Sequence, residues 1–294
     1  MRTSTHTHFL EKRFGALAAV RMCCEGGFEA IDYSMYEGDG AVFGRGGRLL
    51  AAEMRRVAAS FGVVFNQTHA PFSRFRPGEE NEDYNRELFY RICRSIEITA
   101  ELGAPRVIIH PAFICREITA DERYYMNMEL FRALIPVARR HGVEIAIENM
   151  WGRHRDDEDR IIKNVCSDAE ELIRYVDGID DPIVTACLDV GHAVLVGESP
   201  DGMVRALGHR LSSIHLHDND FYRDEHTLPF TRKLNFIALA EALSDISYRG
   251  DITLESNSFM DAMPDGLVGA ALTFSARTAA YIRELVENGG LNGK

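Results

Sequence analysis

The chain has 294 residues, 45 of them acidic against 33 Lys and Arg, and a formal net charge of −12. With 46% hydrophobic and 27% charged residues it has globular proportions, which exclude disordered and fibrous classes and fit one large domain over residues 1–294. The acidic balance argues against a partner held mainly through phosphate charge, so no nucleic acid is expected.

Short apolar, β-branched runs alternate with longer amphipathic stretches. A strand is predicted over Thr3 to Phe9, then a helix from about Glu11 to Glu25, stopped by Gly26-Gly27. Phe28 to Tyr33 reads as the second strand, Arg48 to Phe61 as a helix, and Val63 to His69 as the third strand. Asp83 to Leu102 is predicted helical with Gly103 behind it, and Arg106 to His110 is the fourth strand, ended by Pro111. Glu122 to His141 is a helix, Val143 to Ile147 a fifth strand ending at Glu148, and Ser167 with Glu170 reads as a capping box for a helix to Val176. Ile183 to Leu188, Leu211 to Leu216 and Asp251 to Leu254 complete the strands, with helices over Leu234 to Leu243 and Gly266 to Glu287.

Alternation of this kind implies a parallel sheet, and eight units in under 300 residues predict an α/β chain closed as a single (β/α)8 barrel. A doubly wound open sheet is the alternative, and it wants a Gly-rich phosphate turn. The nearest stretch, Gly38-Asp39-Gly40 through Gly44-Arg45-Gly46-Gly47, has Phe43 or Leu49 where the third glycine belongs, so it reads as a flexible loop. No run of ~18 apolar residues occurs, and MRTSTHTHFL is polar where a signal peptide needs an apolar core. Cys23, Cys24, Cys93, Cys115, Cys166 and Cys187 form no C-x-x-C pair. The expectation is a reduced, cytoplasmic protein.

Six successive predicted strands end in ionisable side chains: His69, His110, Glu148, Asp189 with His192 behind it, His215 and His217, and Glu255. A barrel brings its C-terminal strand ends to one mouth, where active sites are built. Crowded carboxylates repel unless a cation compensates. A divalent metal is therefore expected, and oxygen and imidazole donors without cysteine suit Mn²⁺, Mg²⁺, Zn²⁺, Co²⁺ or Fe²⁺. Cys187, two residues before Asp189, shares its face and is assigned to core packing. Trp151, the single Trp, is a stacking wall for a sugar or aromatic ring, or a core residue. The charge run Asp156-Asp157-Glu158-Asp159 reads as a solvated face.

The segments THAPF (68–72), VIIHPA (107–112), AIENM (146–150), CLDVGHA (187–193), IHLHDND (214–220), RDEH (223–226) and TLES (253–256) resemble the xylose isomerase-like superfamily of sugar-phosphate isomerases and epimerases, of which the abasic-site nuclease endonuclease IV is a relative. The resemblance implies a metal site on Glu148, Asp189, His215 and Glu255, with His217 as the alternative imidazole and Mn²⁺ the preferred ion. It implies Glu148 and Glu255 as the acid–base pair and substrate contacts at His192 and Arg223, to which the mouth residues His69, His110, Trp151 and His217 are added. A second ion on His192, Asp224 and His226 is a further possibility. Two positions depart from the family pattern. Leu228-Pro229-Phe230-Thr231-Arg232 replaces Pro-Gly-Glu-Gly after the DEH segment, and His154 stands where some ketose epimerases hold a substrate-binding Glu.

The implied function is metal-dependent isomerisation or epimerisation of a ketose or sugar derivative, through an enediolate, with assembly as a homo-oligomer left open. A lyase or dehydratase on a keto-sugar uses the same constellation. Phosphodiester hydrolysis is the second alternative, because His69, His110, Glu148, Asp189, His192, His215, Asp224, His226 and Glu255 match the nine positions of the nuclease's three-metal site. The net charge and the lack of clustered Lys and Arg on the mouth loops weigh against it. A barrel that only binds a sugar or metal is the third, and complete acid, base and metal sets weigh against that.

Overall fold

The computed structural model describes residues 1–76, 78–112, 119–154 and 157–291; Cys115 and Asp156 lie outside the described residues. The strands run β1 (Thr3–His6), β2 (Ala30–Ser34), β3 (Val64–His69), β4 (Arg106–Ile109), β5 (Glu144–Glu148), β6 (Trp151–His154), β7 (Asp157–Lys163), β8 (Val184–Asp189), β9 (Leu211–His215) and β10 (Ile252–Leu254). Eight form one parallel sheet in the order β10-β1-β2-β3-β4-β5-β8-β9, and β6 and β7 make a separate antiparallel hairpin. The sheet closes on itself where Leu216 bridges Leu254: Leu216 N–H donates to Thr253 O at 2.9 Å and Glu255 N–H to Leu216 O at 3.0 Å. This is the expected (β/α)8 barrel, and the open-sheet alternative falls.

Helices cover the outside: α1 (His8–Phe14), α2 (Ala16–Glu25), α3 (Gly47–Ser60), α4 (Glu82–Leu102), α5 (Ala120–His141), α6 (Ala169–Ile179), α7 (Val190–Leu195), α8 (Pro200–Leu207), α9 (Phe236–Asp245) and α10 (Asp265–Glu287). The strands read as short apolar runs because helices bury one face and the barrel interior the other. Inside the barrel Ile108, Ala146 and Cys187 pack together, fully buried, which places Cys187 below Asp189 as a core residue. Beside them Ser4 Oγ donates to Asn66 Oδ1 at 2.8 Å and Asn66 Nδ2 to Thr253 Oγ1 at 3.2 Å, a polar layer that joins β1, β3 and β10. No helix among the described residues is long and apolar enough to cross a membrane.

Four local expectations are corrected. The first helix begins at His8, inside the predicted strand, and is broken at Gly15, whose φ of 85° lies in a region that other residues avoid. Asp168, not Ser167, caps α6, accepting from Glu171 N–H at 2.9 Å; the Ser167 hydroxyl instead donates to Met150 O at 2.7 Å. Helices α7 and α8 fill the interval between β8 and β9 where no helix was expected. Trp151–His154 and Asp157–Lys163 pair as an antiparallel hairpin whose first strand lines the cavity at the barrel mouth, rather than only a charged loop.

Candidate metal centre and active-site cavity

Glu148, Asp189, His215 and Glu255 come from the C-terminal ends of β5, β8, β9 and β10, and all four are buried. One ligand atom of each lies within 4.8 Å of the others. The arrangement is centred on His215: its Nδ1 is 2.9 Å from Glu148 Oε1 and 2.9 Å from Glu255 Oε2. Its Nε2 lies 3.1 Å from Asp32 Oδ2, in the middle of β2. Asp32 thus stands at the Nε2 side of the ring, which turns Nδ1 to the two glutamates. Gln67 Nε2 also donates to Asp32 Oδ2, at 2.8 Å.

His217 stands apart from this group. Its Nε2 is 2.9 Å from Asp189 Oδ1 and 3.1 Å from Oδ2, so it braces the Asp189 carboxylate. Asp189 Oδ1 also caps α7 by accepting from His192 N–H at 2.7 Å, while Asn149 Oδ1 accepts from Asp189 N–H at 2.6 Å. The backbone around Asp189 is therefore held on both sides.

Burial pushes the Glu148 and Glu255 carboxyls up, yet both are held well below the usual carboxylate range. The His215 ring does this for both, helped by His110 at Glu148 and by His226 at Glu255. Against burial, Cys187, Glu255, Glu148 and the bond to Asp32 together raise His215 well above the ordinary imidazole value. Three buried carboxylates and one imidazole thus offer ligand atoms within 4.8 Å of one another, with Asp32 behind the ring. Oxygen plus imidazole donors converging in this way suit a borderline or hard divalent ion. The donor set fits a metal.

Two further clusters line the mouth. His69 Nε2 and His110 Nε2 lie 3.0 and 2.9 Å from Glu148 Oε2, and burial holds the His110 ring below its ordinary value. On the other side Asp224 Oδ2 is 3.2 Å from His226 Nε2, 3.6 Å from His192 Nε2, and accepts from Trp151 Nε1 at 3.2 Å. Burial opposes charge on His226, but Asp224 and Glu255 push it up to about 10. The His217 and His226 rings stack at 3.9 Å, which ties this cluster to the Asp189 side.

These groups floor a cavity of about 640 Å³, walled by Phe72, Pro111, Met150, Trp151 and Val165. His69 and His217 lie beneath, at 1% and 0% exposure. His110, Trp151, His154, His192, Asp224 and His226 all line the cavity. Arg223 is not brought there: its side chain is 78% exposed, its Nε is 3.9 Å from Asp220, and the lining does not include it. The loop that holds it passes through Phe221, which has a φ of 73°.

Asp32 and Tyr36 were missed. Asp32 is an acid inside β2, two residues before its end, and the reading of strand ends began at the third strand. Tyr36 lies beyond β2, where spacing says nothing. Its hydroxyl donates to Glu255 Oε1, and its ring is stacked between His6 at 4.7 Å and Phe72 at 4.8 Å. That bond occupies one oxygen of Glu255 and leaves Oε2 toward His215.

A solved structure of a D-tagatose 3-epimerase-like protein superposes with a TM-score of 0.76 at 22% identity, covering 98% of each chain. An uncharacterized protein of Methanocaldococcus jannaschii is 29% identical over 200 residues, 66% of this chain and 65% of that protein, so the match spans under two thirds of the relative's length. D-psicose 3-epimerase of Ruminiclostridium cellulolyticum is 23% identical over 208 residues, 69% of this chain and 67% of the enzyme. The model of the xylose isomerase-like TIM barrel matches residues 20–277, which span the barrel from α2 into α10 and include every residue of the metal centre. The chain belongs to the xylose isomerase-like TIM barrel family.

Proposed function

We propose that the chain is a metal-dependent epimerase or isomerase of a ketose or sugar derivative, with Glu148, Asp189, His215 and Glu255 as metal ligands and Mn²⁺ as the preferred ion. The observation that carries the reading is the pair of glutamates flanking His215 Nδ1 at 2.9 Å each from β5 and β10, three positions apart around the ring. A divalent ion held there supplies Lewis-acid stabilisation of charge on substrate oxygens. Glu148 and Glu255 approach a substrate from different sides. One removes the proton α to the carbonyl, leaving an enediolate, and the other returns a proton to the opposite face. Tyr36 holds Glu255 in place, while His69 and His110 at Glu148 Oε2 orient that carboxylate and offer it a proton path. The apolar wall limits water at the reacting carbon. The D-psicose 3-epimerase and D-tagatose 3-epimerase-like relatives support this choice of chemistry.

The test is solvent-deuterium exchange at the substrate α-carbon with a panel of ketoses. Glu148→Gln and Glu255→Gln each lower turnover by about 10²–10⁴-fold, the worth of a positioned acid or base. A variant that has lost only the returning acid still exchanges the proton without inverting the centre. Near-normal turnover in both variants, with metal bound, sinks the assignment.

A second reading has its own observation. The His69–His110–Glu148 and His192–Asp224–His226 clusters each gather ligand atoms within 4.8 Å, beside the four-residue centre. Three adjacent sites suit a multi-metal phosphodiester hydrolase. An abasic-DNA cleavage assay with the metal-loaded chain decides between the two.

A further inference from the structure

A second cavity, of about 220 Å³, adjoins the first. It lies among the segment after β2, the segment after β3 and helix α4, and the two cavities share Tyr36, Phe72 and Arg74 in their walls. Arg74 stands over the Phe72 ring at 4.8 Å, so this stack is the partition between them. Space bears on what they hold. At liquid water's share of about 30 Å³ per heavy atom, the roughly twelve heavy atoms of a hexose take about 360 Å³ of the first cavity's 640 Å³ and leave roughly 280 Å³. A second sugar ring adds about eleven heavy atoms and about 330 Å³. Neither that remainder nor the second cavity holds such a ring alone; the two together do.

The walls of the second cavity suit hydroxyl groups rather than a net charge. Arg74 and Arg91 line it together with Glu37 and Glu87, two guanidinium groups against two carboxylates. Arg91 Nε donates to Glu87 Oε1 at 3.0 Å. Among the described residues no ion pair holds Arg74 or Glu37, and Arg74 rests on the Phe72 ring. A guanidinium donates and a carboxylate accepts, so this pair answers sugar hydroxyls, which do both. Tyr84, 37% exposed, lines the same cavity with Arg76 4.0 Å from its ring, and adds an aromatic surface for the apolar face of a sugar.

We propose that the chain acts on a glycoside: a keto-sugar whose keto end reaches the metal centre and which carries a second, uncharged sugar unit across the Phe72–Arg74 partition into the second cavity, where Glu37 and Arg74 bind its hydroxyls. The proposal rests on the epimerase reading for the floor of the first cavity and adds the substrate class. A free hexose fills the floor and leaves the second cavity empty.

The probe is the fluorescence of Trp151, the single tryptophan, in the Mn²⁺-loaded full chain. The ligands are fructose, fructose 6-phosphate, and three disaccharides that keep the keto end of fructose: maltulose, lactulose and isomaltulose. At least one disaccharide is expected to bind about tenfold or more tightly than fructose, the worth of one hydrogen bond to a charged group. The Glu37→Ala/Arg74→Ala double variant brings that ratio near one. Glu37→Gln/Arg74→Lys, which keeps an acceptor and a donor, restores part of it. Both residues are exposed, and the melting temperature checks that the variants stay folded. No disaccharide favoured over fructose, a preference that survives the double alanine variant, or a preference for fructose 6-phosphate alone overturns the second-ring site. Solvent-deuterium exchange at the α-carbon is read separately and decides the chemistry. Variant-sensitive disaccharide binding without exchange of any sugar leaves the second-ring site standing and removes the epimerase reading. Exchange of fructose, with no disaccharide favoured in binding, removes the second-ring site alone.

Discussion

Asp32 shows how one residue sets the centre. It is fully buried, and its Oδ2 takes the Nε2 side of His215 at 3.1 Å while Gln67 donates to the same oxygen. Without that acceptor the His215 proton is free to sit on Nδ1, where it blocks the ligand lone pair. Asp32→Asn keeps the shape and offers an amide that can donate toward the ring. It is expected to weaken metal affinity by about 10–100-fold, the usual effect of losing a partner that orients a metal-bound histidine. Isothermal titration with Mn²⁺ measures this directly; affinity within twofold of the parent chain shows that Asp32 does not orient the ring. At this scale the acids and imidazoles of strands three to eight were legible because strand ends have a fixed destination in a barrel. The choice between His215 and His217 was not. Both point inward by the two-residue period, and what separates them is that Asp32 lies within reach of one and Asp189 of the other.

The elements around the site show where periodicity stops informing. The barrel strands announce themselves by β-branched apolar runs, and the long helices by amphipathic spacing with a glycine behind them, as at Gly103 and Gly142 with φ of 77° and 65°. The β6–β7 hairpin has neither signal, and of its described residues Trp151, Gly152, Arg153 and His154 line the cavity. Helix α7 is six residues long, too short to show a period, and it exists because Asp189 caps it. Its second residue, Gly191, matters for space: a Cβ there sits 1.9 Å from His217 Cε1 and 2.4 Å from its Nε2. Gly191→Ala therefore moves His217 off Asp189. The expected result is a loss of about 1–3 kcal/mol in urea unfolding, the usual range for overpacking, together with weaker Mn²⁺ binding. Gly202 in α8 is the control, since a Cβ there meets only Ser199 at 3.5 Å. Gly202→Ala is expected to leave metal binding alone and to be neutral or slightly stabilising. If Gly191→Ala behaves like Gly202→Ala, the brace on Asp189 is not structural.

At the scale of the whole molecule the four proposed ligands come from β5, β8, β9 and the residue after β10, on both sides of the closing contact between Leu216 and Leu254. The unfolded chain scatters them over more than a hundred residues, from Glu148 to Glu255, so an ion that uses all four binds only the closed barrel. Binding then stabilises folding by mass action, by about 2.7 kcal/mol at a free metal concentration a hundredfold above Kd. Spread over a chain of this length, 294 residues, that corresponds to a rise in Tm of roughly 4–8 °C. Chelation is expected to reverse the rise. Glu148→Gln/Glu255→Gln removes two ligands and, with them, the carboxylates that the His215 ring pairs with. Its metal-free form should melt below the metal-free parent, and added Mn²⁺ should no longer raise its Tm. His192→Ala leaves the four-residue centre intact, so its metal-dependent rise should persist. Scanning calorimetry on these three proteins, with Mn²⁺, Zn²⁺, Co²⁺, Mg²⁺ or chelator, reads all of this. A parent chain whose Tm none of the four ions moves has no metal at this centre, and the proton-transfer chemistry assigned to Glu148 and Glu255 goes with it.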